Sequence, residues 1–457
     1  MDYQHIVAVQ RAYFYTGVTL SVAERLAALN ALEREISRRQ PQLLAALAVD
    51  LGKSSAEAYL TELGMIFSEL HFVRRHLSAW CKPQRRPTPM GQFKAVSRVW
   101  PEPYGVVLIM APWNYPVQLC LMPLIGALAA GNCCVIKPSA YAPASAAAID
   151  ELIRAAFPPE LVQVIPGGRE VNAAILECRF DYIFFTGSVA VGRLVMEKAA
   201  RDVTPVSLEL GGKSPCLVEK TANIELAAKR IAFGKLLNAG QTCVAPDYIL
   251  ADRRVLPLLT ERLAYWFTAF FPDGDALTAP DWPKIINAKH FQRLVGLLAG
   301  CTVVQGGDFD RQRLKIAPTL ISPADWSMPV MAEEIFGPLL PLVPYDDFEC
   351  ALAEIRCRPK PLALYLFTQN REIERQVLRQ VSFGGGCVND VIVQLATPHL
   401  AFGGVGESGM GGYHGRHSFD TFTHYKSVLK TSTRVDLPLR YRPYTERKQK
   451  LIRRFLG

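Results

Sequence analysis

The chain has 457 residues, half of them hydrophobic and one fifth charged, and its formal net charge is +9. This length exceeds a single hydrophobic core and predicts two or three domains, and the ordinary composition is typical of a globular α/β enzyme. No apolar run reaches the roughly 18 residues of a membrane span. The first residues lack the basic and apolar regions of a secretory signal, so we expect neither a transmembrane segment nor a signal peptide.

Cysteine and histidine usage indicates reduced thiols and no metal centre. The eleven cysteines are scattered, and none forms a CxxC pair, so we expect free thiols in a cytoplasmic protein rather than a disulfide framework. His414 and His417 are three residues apart, but no cysteine or carboxylate cluster accompanies them. We therefore expect no metal ligands.

The positive charge is concentrated at the C-terminus. Residues 438–457 contain seven basic side chains and one acidic side chain, so this tail carries +6 and the rest of the chain only +3. A nearly neutral bulk predicts no nucleic-acid-binding face. As a helix, residues 445–457 would place Leu451, Ile452, Phe455 and Leu456 on one side, bordered by cations. This pattern is typical of weak peripheral binding to an anionic membrane, and the alternative is packing on the protein's own surface or on a dimer partner.

In chain order, residues 21–79 carry leucine and isoleucine at helical spacing, and the Pro-rich residues 82–101 are typical of an extended arm. From residue 104 the pattern changes to short apolar strands separated by helices, which predicts a parallel sheet covered on both faces. We predict strands at Val106–Met110, Cys134–Ile136, Val162–Ile165 and Tyr182–Phe185, and helices at Leu119–Ala130, Ala144–Ala156 and Val171–Glu177.

A second series of strands and helices begins near residue 215 and predicts a second α/β domain. The predicted strands are Cys216–Val218, Tyr248–Ala251, Thr302–Val304, Leu339–Val343 and Ala363–Phe367, and the predicted helices include Ile224–Asn238 and Val255–Phe270.

Three short motifs contain residue types suited to nucleophilic chemistry. Cys243 ends the sequence N-A-G-Q-T-C, in which a glycine-containing turn can expose a nucleophile; the alternative is a buried structural cysteine. Glu209 lies between leucines before two glycines and suits a partly buried general base, or a salt-bridged acid at a strand end. Asn114, in A-P-W-N-Y-P, follows a strand and can donate to a developing oxyanion, or can cap the following helix.

Further motifs suit a dinucleotide. Lys137 in V-I-K-P-S ends a predicted strand with a cation. Gly187 and Gly192 in F-T-G-S-V-A-V-G lie at a strand–turn–helix junction, where backbone N–H groups can approach a pyrophosphate. This GxxxxG spacing is a weak general signal. Glu334 and Phe336 in A-E-E-I-F-G-P place an acid and an aromatic ring on one segment, with a surface acid pair as the alternative.

Together and in this order, these motifs resemble the aldehyde dehydrogenase superfamily over residues 20–430. The resemblance rests on P-W-N-Y-P, I-K-P-S, F-T-G-S, L-E-L-G-G-K-S-P, G-Q-T-C, E-E-I-F-G-P and F-G-G-V-G-E-S-G-M-G. The segments G-Q-T-C-V-A-P-D-Y and V-N-D-V, with the short N-terminus, are similar to the class 3 branch of fatty and aromatic aldehyde dehydrogenases.

The resemblance implies a role for each catalytic motif residue. It implies that Cys243 attacks the aldehyde, that Asn114 and the Cys243 backbone N–H hold the oxyanion, and that hydride transfer leaves a thioester. It implies that Glu209 activates the water that hydrolyses this thioester.

The resemblance also implies an NAD or NADP site. Lys137 is expected at the adenosine ribose, Gly187, Ser188 and Gly192 near the pyrophosphate, and Glu334 with Phe336 at the nicotinamide ribose. The family commonly has K-P-S-E where this chain has Ala140, which removes a charge that would repel a 2′-phosphate. Strict preference for NAD is therefore in doubt.

The implied fold is a Rossmann-like cofactor domain, a second α/β catalytic domain and a small β oligomerisation arm of a homodimer. We assign residues 1–81 and 102–208 to the cofactor domain, 209–395 to the catalytic domain, 82–101 and 418–436 to the arm, and 437–457 to the basic tail.

The substrate is less determined by the sequence. Trp113 and Tyr115 flank Asn114, and Phe233 and Leu237 share one helix face, which predicts an apolar funnel for aliphatic or aromatic aldehydes; core packing is the alternative. Two other functions are alternatives to aldehyde oxidation by hydrolysis of the thioester. An enzyme that passes the acyl group to coenzyme A would not need Glu209, and a catalytically silent structural or membrane-surface relative would not need the full set of motif residues.

Overall fold

The computed structural model describes residues 2–271, 273 and 275–456. Its helices, numbered in chain order, are α1 Tyr3–Tyr15, α2 Val22–Arg38, α3 Gln40–Leu51, α4 Ser55–Ala58, α5 Gly64–Trp80, α6 Pro116–Ala130, α7 Pro143–Ala156, α8 Arg169–Ile175, α9 Val189–Ala200, α10 Ile224–Leu236, α11 Leu256–Ala269, α12 Ala288–Gly296, α13 Pro329–Ala332, α14 Phe348–Arg356, α15 Arg371–Gln380, α16 Arg416–Thr421 and α17 Glu446–Leu456.

The strands form four sheets. They are β1 Gln84–Arg86, β2 Val96–Pro103, β3 Val106–Met110, β4 Cys133–Lys137, β5 Val162–Val164, β6 Tyr182–Gly187, β7 Val206–Leu210, β8 Pro215–Val218, β9 Tyr248–Asp252, β10 Val303–Gln305, β11 Phe309–Asp310, β12 Lys315–Ile316, β13 Thr319–Ile321, β14 Leu339–Tyr345, β15 Ala363–Phe367, β16 Gly385–Val388, β17 Gly409–Met410 and β18 Thr423–Lys430.

The first large sheet has the strand order β17-β7-β6-β3-β4-β5, with only β17 antiparallel. Its central strand β3 is buried along its whole length, because alternate residues face two different cores. Val107 and Ile109 pack with the N-terminal helices, and Val106, Leu108 and Met110 pack on the opposite face. Burial on both faces explains the continuous apolar run of this strand.

Strand order reverses at β3 in this sheet, with β4 on one side and β6 on the other. In open α/β sheets a ligand crevice lies beyond the carboxyl ends of the strands at such a switch point. The loops after β3 and β6, which contain Asn114 and Ser188, meet at this edge.

The second large sheet has the order β10-β13-β14-β9-β8-β15-β16 and is parallel except for β10. Helices cover it, and one continuous core joins residues 216–392. The predicted α/β fold with two parallel sheets is confirmed, and strands β3 and β15 have the predicted bounds.

The arm is a three-stranded antiparallel sheet of order β1-β2-β18. The prediction that it resumes at residue 418 is wrong, because residues 416–421 form α16. Phe419 and Phe422 are fully buried in the core of the first domain, so this segment belongs to that domain and not to an exposed arm.

The boundary predicted at residue 209 also differs from the structure. Glu209 lies within β7, a strand of the first sheet that ends at Leu210. Among the described residues, no helix is long and apolar enough to cross a membrane.

Candidate active site

Cys243 follows a sharply wound turn after helix α10. Three consecutive residues, Asn238, Ala239 and Gly240, have left-handed backbone angles, with φ of 51°, 50° and 72°. A Cβ added to Gly240 would lie 2.2 Å from the carbonyl oxygen of Gly337, so glycine is required for this close backbone approach. The turn ends the helix and carries the thiol away from the helix axis.

The thiol lines a cavity whose walls are mostly apolar. Tyr115, Phe233 and Leu237 lie in its lining, and Glu209 shares the cavity with Cys243. The remaining lining residues include Leu60, Met65, Leu119, Val244, Leu362, Ile392, Val393, Leu395, Phe402 and Tyr413.

Trp113 lies outside the lining of this cavity, contrary to the substrate prediction. Its ring packs edge-on against Phe336 with centroids 5.4 Å apart, and against His290 at 5.3 Å. Asn114, the residue next to it, is likewise not among the residues that line this cavity. Trp113 therefore belongs with the predicted nicotinamide-side residue Phe336.

Glu209 is buried without a hydrogen-bond partner among the described residues. Its side chain is 2% exposed, and neither carboxyl oxygen accepts a hydrogen bond. Burial alone raises the pKa of this carboxyl well above its usual value. The alternative of a salt-bridged acid is therefore wrong.

Burial also raises the pKa of the Cys243 thiol, to about 12, and the nearby carboxyls of Glu334 and Glu209 add to this shift. The backbone N–H groups of Cys243 and Val244 act in the opposite direction and lower this pKa. In the protein without ligands Cys243 is therefore held as a thiol.

Asn114 connects the first sheet to the cysteine turn. Its side chain is buried, and Nδ2 donates to the carbonyl oxygen of Gln241 at 3.1 Å, two residues before Cys243. The helix-cap alternative is wrong, because Tyr115 holds the N-cap position of α6. The geometry instead directs the Asn114 amide at the nucleophile turn.

Lys137 ends β4, with its ammonium group buried against two carbonyl oxygens. Nζ donates to Pro138 and Gly167 at 2.6 Å each, and burial lowers the pKa of Lys137 to about 8. Ala140, two residues after Pro138, is exposed on the turn that follows.

The junction of β6 and α9 fits a pyrophosphate. Ser188 holds the N-cap position without a side-chain hydrogen bond to the helix, and the Thr186 hydroxyl has no partner among the described residues. A Cβ on Gly192 would lie 2.6 Å from Leu210 Cδ2, so glycine lets the helix approach the sheet. Helix N-termini bind anions through these N–H groups, and the residues present therefore fit a dinucleotide.

Glu334 packs against the backbone that follows β7. A Cβ on Gly211 would lie 2.1 Å from Glu334 Oε2, and the backbone N–H of Gly212 acts to lower the pKa of this carboxyl. Burial and Asp247 raise the pKa of Glu334 to about 8. The acid is therefore not part of an exposed surface pair, although its neighbour Glu333 is exposed and pairs with Arg293.

Sequence reasoning missed several polar groups that surround the site. His414 lines the cavity, its Nε2 is buried without a partner among the described residues, and burial lowers its pKa to about 4. Lys53 and Glu62 form a buried ion pair that contacts Asn114 and the start of α6. The only signal in the sequence was a pair of opposite charges nine residues apart in a helical segment.

Comparison with known proteins places these features in one family. The aldehyde dehydrogenase family model matches residues 1–428. A 4,4'-diaponeurosporen-aldehyde dehydrogenase from Staphylococcus aureus (strain NCTC 8325 / PS 47) is 45% identical over 436 residues, covering 95% of each chain. Aldehyde dehydrogenase family 3 member H1 from Arabidopsis thaliana is 40% identical over 454 residues, covering 98% of this chain and 94% of the relative.

Solved structures agree with the sequence relatives. The substrate-bound state of Staphylococcus aureus AldH superposes with a TM-score of 0.97 at 43% identity, covering 99% of each chain. An NAD-dependent aldehyde dehydrogenase from Sinorhizobium meliloti gives 0.85 at 28% identity, covering 95% of this chain and 88% of that one. An E. coli NADP-dependent enzyme superposes with a TM-score of 0.86 at 26% identity, covering 94% of this chain and 90% of that one. The chain therefore belongs to the aldehyde dehydrogenase family, with class 3 relatives, and is an NAD(P)-dependent enzyme that oxidises aldehydes to carboxylic acids.

Proposed function

We propose that the protein oxidises an apolar aldehyde in the cavity that ends on Cys243, with Cys243 as nucleophile and Glu209 as the base for hydrolysis. The observation that carries this proposal is one apolar cavity lined by both the thiol and a carboxyl without hydrogen-bond partners. Together they provide a thiol that can accept the acyl group and a carboxylate that can activate water, and both can act on the same bound substrate.

In the first step the Cys243 thiol releases its proton to solvent, the sulfur bonds to the aldehyde carbon, and the carbonyl oxygen becomes an oxyanion. The Asn114 amide has two N–H bonds, and one of them donates to Gln241. The second, with the backbone N–H of Cys243, is the donor set for the oxyanion.

The residues that would hold the dinucleotide are Lys137, Gly187, Ser188 and Gly192 on the first domain, and Glu334 and Phe336 on the second. When bound, an oxidised nicotinamide would supply a hydride acceptor for oxidation of the substrate held on Cys243. Trp113, in contact with Phe336, completes the aromatic surface on this side.

Glu209 acts on the thioester. Its carboxylate takes a proton from water, the hydroxide oxygen bonds to the acyl carbon, the carbon–sulfur bond breaks, and the acid leaves as Cys243 is regenerated. The high pKa of Glu209 makes it a strong proton acceptor once ionised. A coenzyme A thiol would need no such base, so the position of Glu209 supports hydrolysis over acyl transfer.

The cavity supports an aliphatic or aromatic substrate. Besides Glu209, Cys243 and His414, its walls present mainly hydrocarbon and aromatic surface, and they present no cation for an acidic or phosphorylated aldehyde. Phe233 is 39% exposed on the helix that leads to the nucleophile turn. The Staphylococcus aureus relative is named for 4,4'-diaponeurosporen-aldehyde.

The test separates the nucleophile from the base. With a medium-chain aldehyde and NAD or NADP, Glu209→Gln is expected to give a burst of reduced cofactor equal to the enzyme concentration and then to stall at the thioester. Cys243→Ala is expected to give neither burst nor turnover. Substantial turnover by Cys243→Ala would refute the assignment, and turnover that requires coenzyme A would favour the acylating alternative.

We further propose a homodimer built through the arm. Strand β18 is the outer strand of the arm sheet, and Val428 and Leu429 on it are about two-fifths exposed. Unpaired strand edges with apolar residues are ready sites for pairing with another chain. Sedimentation equilibrium measures the expected dimer mass directly.

We also propose that the C-terminal helix α17 contacts anionic membrane surfaces weakly, as a peripheral site on a cytoplasmic enzyme. It lies against residues 90–92 of the arm. Met90 and Phe93 there are 81% and 60% exposed, and Leu451 on the helix is also exposed. The Phe455 and Leu456 side chains, which complete the predicted stripe, lie outside the described residues.

A further inference from the structure

A buried ion pair lies beneath the oxyanion loop. Lys53 Nζ and Glu62 Oε1 are 2.6 Å apart, and both side chains are fully buried. Lys53 follows helix α3, and Glu62 lies in the turn between α4 and α5, so both come from the N-terminal helices and not from either sheet.

This pair holds the segment 114–118 at both ends. Lys53 Nζ donates to the carbonyl oxygen of Asn114 at 3.0 Å. The other Glu62 oxygen accepts the N–H groups of Val117 and Gln118 at 2.9 and 3.2 Å. The Asn114 backbone is therefore fixed relative to the first turn of α6.

The same helices also hold the nucleophile turn. Glu57 accepts the backbone N–H of Asn238 at 2.6 Å, and Asn238 Nδ2 donates to the Asn114 carbonyl at 2.9 Å. Lys53 Nζ lies 3.9 Å from the centre of the Tyr115 ring, whose hydroxyl bonds to Thr242 beside Cys243 at 2.5 Å. The ion pair thus stands at the junction of the oxyanion loop and the nucleophile turn.

We infer that Lys53 and Glu62 are positioning residues that direct the Asn114 amide at the oxyanion, an inference that rests on the role proposed above for Asn114. A buried ion pair is commonly no more stabilising than apolar residues of the same volume. This pair instead orients the Asn114 side chain, because its hydrogen bonds fix the backbone of residues 114–118. A displacement of about 1 Å in a reacting geometry can cost on the order of 100-fold in rate.

The test replaces both charges together. The double variant Lys53→Met/Glu62→Leu buries no unpaired charge, so we expect it to fold. Its kcat/KM is expected to fall about 100-fold, as for loss of one oxyanion donor. The fall should be in kcat, with unchanged cofactor affinity by fluorescence titration. Should the double variant fail to fold, Glu62→Gln, which keeps the side-chain volume, takes its place.

The matched control is Arg11→Met/Asp181→Leu. Arg11 and Asp181 are also an ion pair whose acid accepts a backbone N–H, that of Val106 at 2.8 Å, but they are in the first domain away from the cavity lining. Parental kcat/KM is expected for this control.

A cycle with Asn114→Ala decides the inference. If the pair acts through Asn114, adding Asn114→Ala to Lys53→Met/Glu62→Leu costs little further activity. Two results would overturn the positioning role. In the first, the fold-losses of kcat/KM multiply when Asn114→Ala is combined with Lys53→Met/Glu62→Leu. In the second, Lys53→Met/Glu62→Leu keeps the parental kcat/KM although Asn114→Ala alone is impaired. Parental activity in Asn114→Ala alone would instead remove the proposed oxyanion role and the inference with it.

Discussion

Three ionisable side chains share the desolvated space around the nucleophile. Burial raises the pKa of Cys243, Glu209 and Glu334, and the two acids raise the thiol pKa further by repelling the thiolate. The protein without ligands therefore favours three neutral groups. Ionisation of Cys243 is therefore opposed mainly by burial, and additionally by any charge that Glu334 or Glu209 acquires.

This coupling predicts the effect of Glu334→Gln on thiol reactivity. Glu334, with a pKa of about 8, is charged above that pH, and this charge opposes ionisation of Cys243. Its removal should lower the pKa of Cys243 and speed alkylation by iodoacetamide at pH 9–10, about tenfold for each pKa unit. Below pH 7, where Glu334 is neutral in the parent, the two rates should converge.

The rate is measured on the Cys243 peptide by mass spectrometry, since other cysteines are also exposed. Glu333→Gln is the matched control, because this neighbouring acid is exposed and does not act on the thiol. Superimposable pH profiles for parent and Glu334→Gln would contradict the coupling.

Ala140 gives a prediction about cofactor choice. It is exposed on the turn after β4, close in sequence to Lys137, and carries no charge to repel a 2′-phosphate. We expect activity with both NAD and NADP, and Ala140→Glu should raise the KM for NADP about fivefold, since two such charges interact by about 1 kcal/mol in water.

The comparison that isolates charge from size is Ala140→Gln, which should leave the ratio of the two KM values near that of the parent. If the parent shows no activity with NADP, another group excludes the 2′-phosphate.

At the residue level, sequence motifs located the side chains that line the cavity, but not the residues that position the surrounding loops. Cys243 and Glu209 could be found because they lie in short, ordered motifs. Lys53 and Glu62 could not, because their significance depends on contacts with residues 61 and 55 positions away. Trp113 was misplaced because adjacent residues on a loop need not face one cavity.

At the level of elements, nine of the eighteen described strands were predicted, and all of these except β10 are short, largely buried apolar runs. The predicted bounds of β8 and β9 differ by one residue at one end. Strand β17, only two residues long, joins the first sheet from far along the chain and gives no apolar pattern. The arm was extended too far because α16 is short and lies directly before β18.

Helix α10 carries the prediction about substrate length. Phe233 projects from it into the cavity lining. Phe233→Ser is expected to raise the KM for a long-chain aldehyde about tenfold, if about 50 Å² of apolar contact is lost at about 25 cal/mol/Å². A three-carbon aldehyde, which does not reach the cavity mouth, should be affected little.

The same helix offers the control. Leu226 is 38% exposed and Phe233 is 39% exposed, but Leu226 lies outside the cavity lining. Leu226→Ser should therefore leave the KM values for the short and the long aldehyde unchanged. An equal change in KM for short and long aldehydes in Phe233→Ser would argue against an apolar funnel at this helix.

At the scale of the whole molecule, charge and apolar surface coincide at one place. The tail carries +6 of the net charge, and its helix lies beside the exposed Met90 and Phe93 of the arm. An exposed apolar patch bordered by cations serves either a second subunit or a lipid surface. Either use of this patch would be additional to the dimer contact proposed at the β18 edge of the arm.

Removing the tail distinguishes the two uses. The chain ending at Pro438 loses six net positive charges and helix α17. Each cation near an anionic surface contributes about 1 kcal/mol, so the full chain should sediment with anionic liposomes at low salt and much less at physiological salt, and the shortened chain should not sediment at either. Neutral liposomes are the control for the electrostatic part. Equal binding by both chains, or by neither, would rule out the membrane role, and a shift of the shortened chain from dimer to monomer mass would show that the tail belongs to the subunit interface.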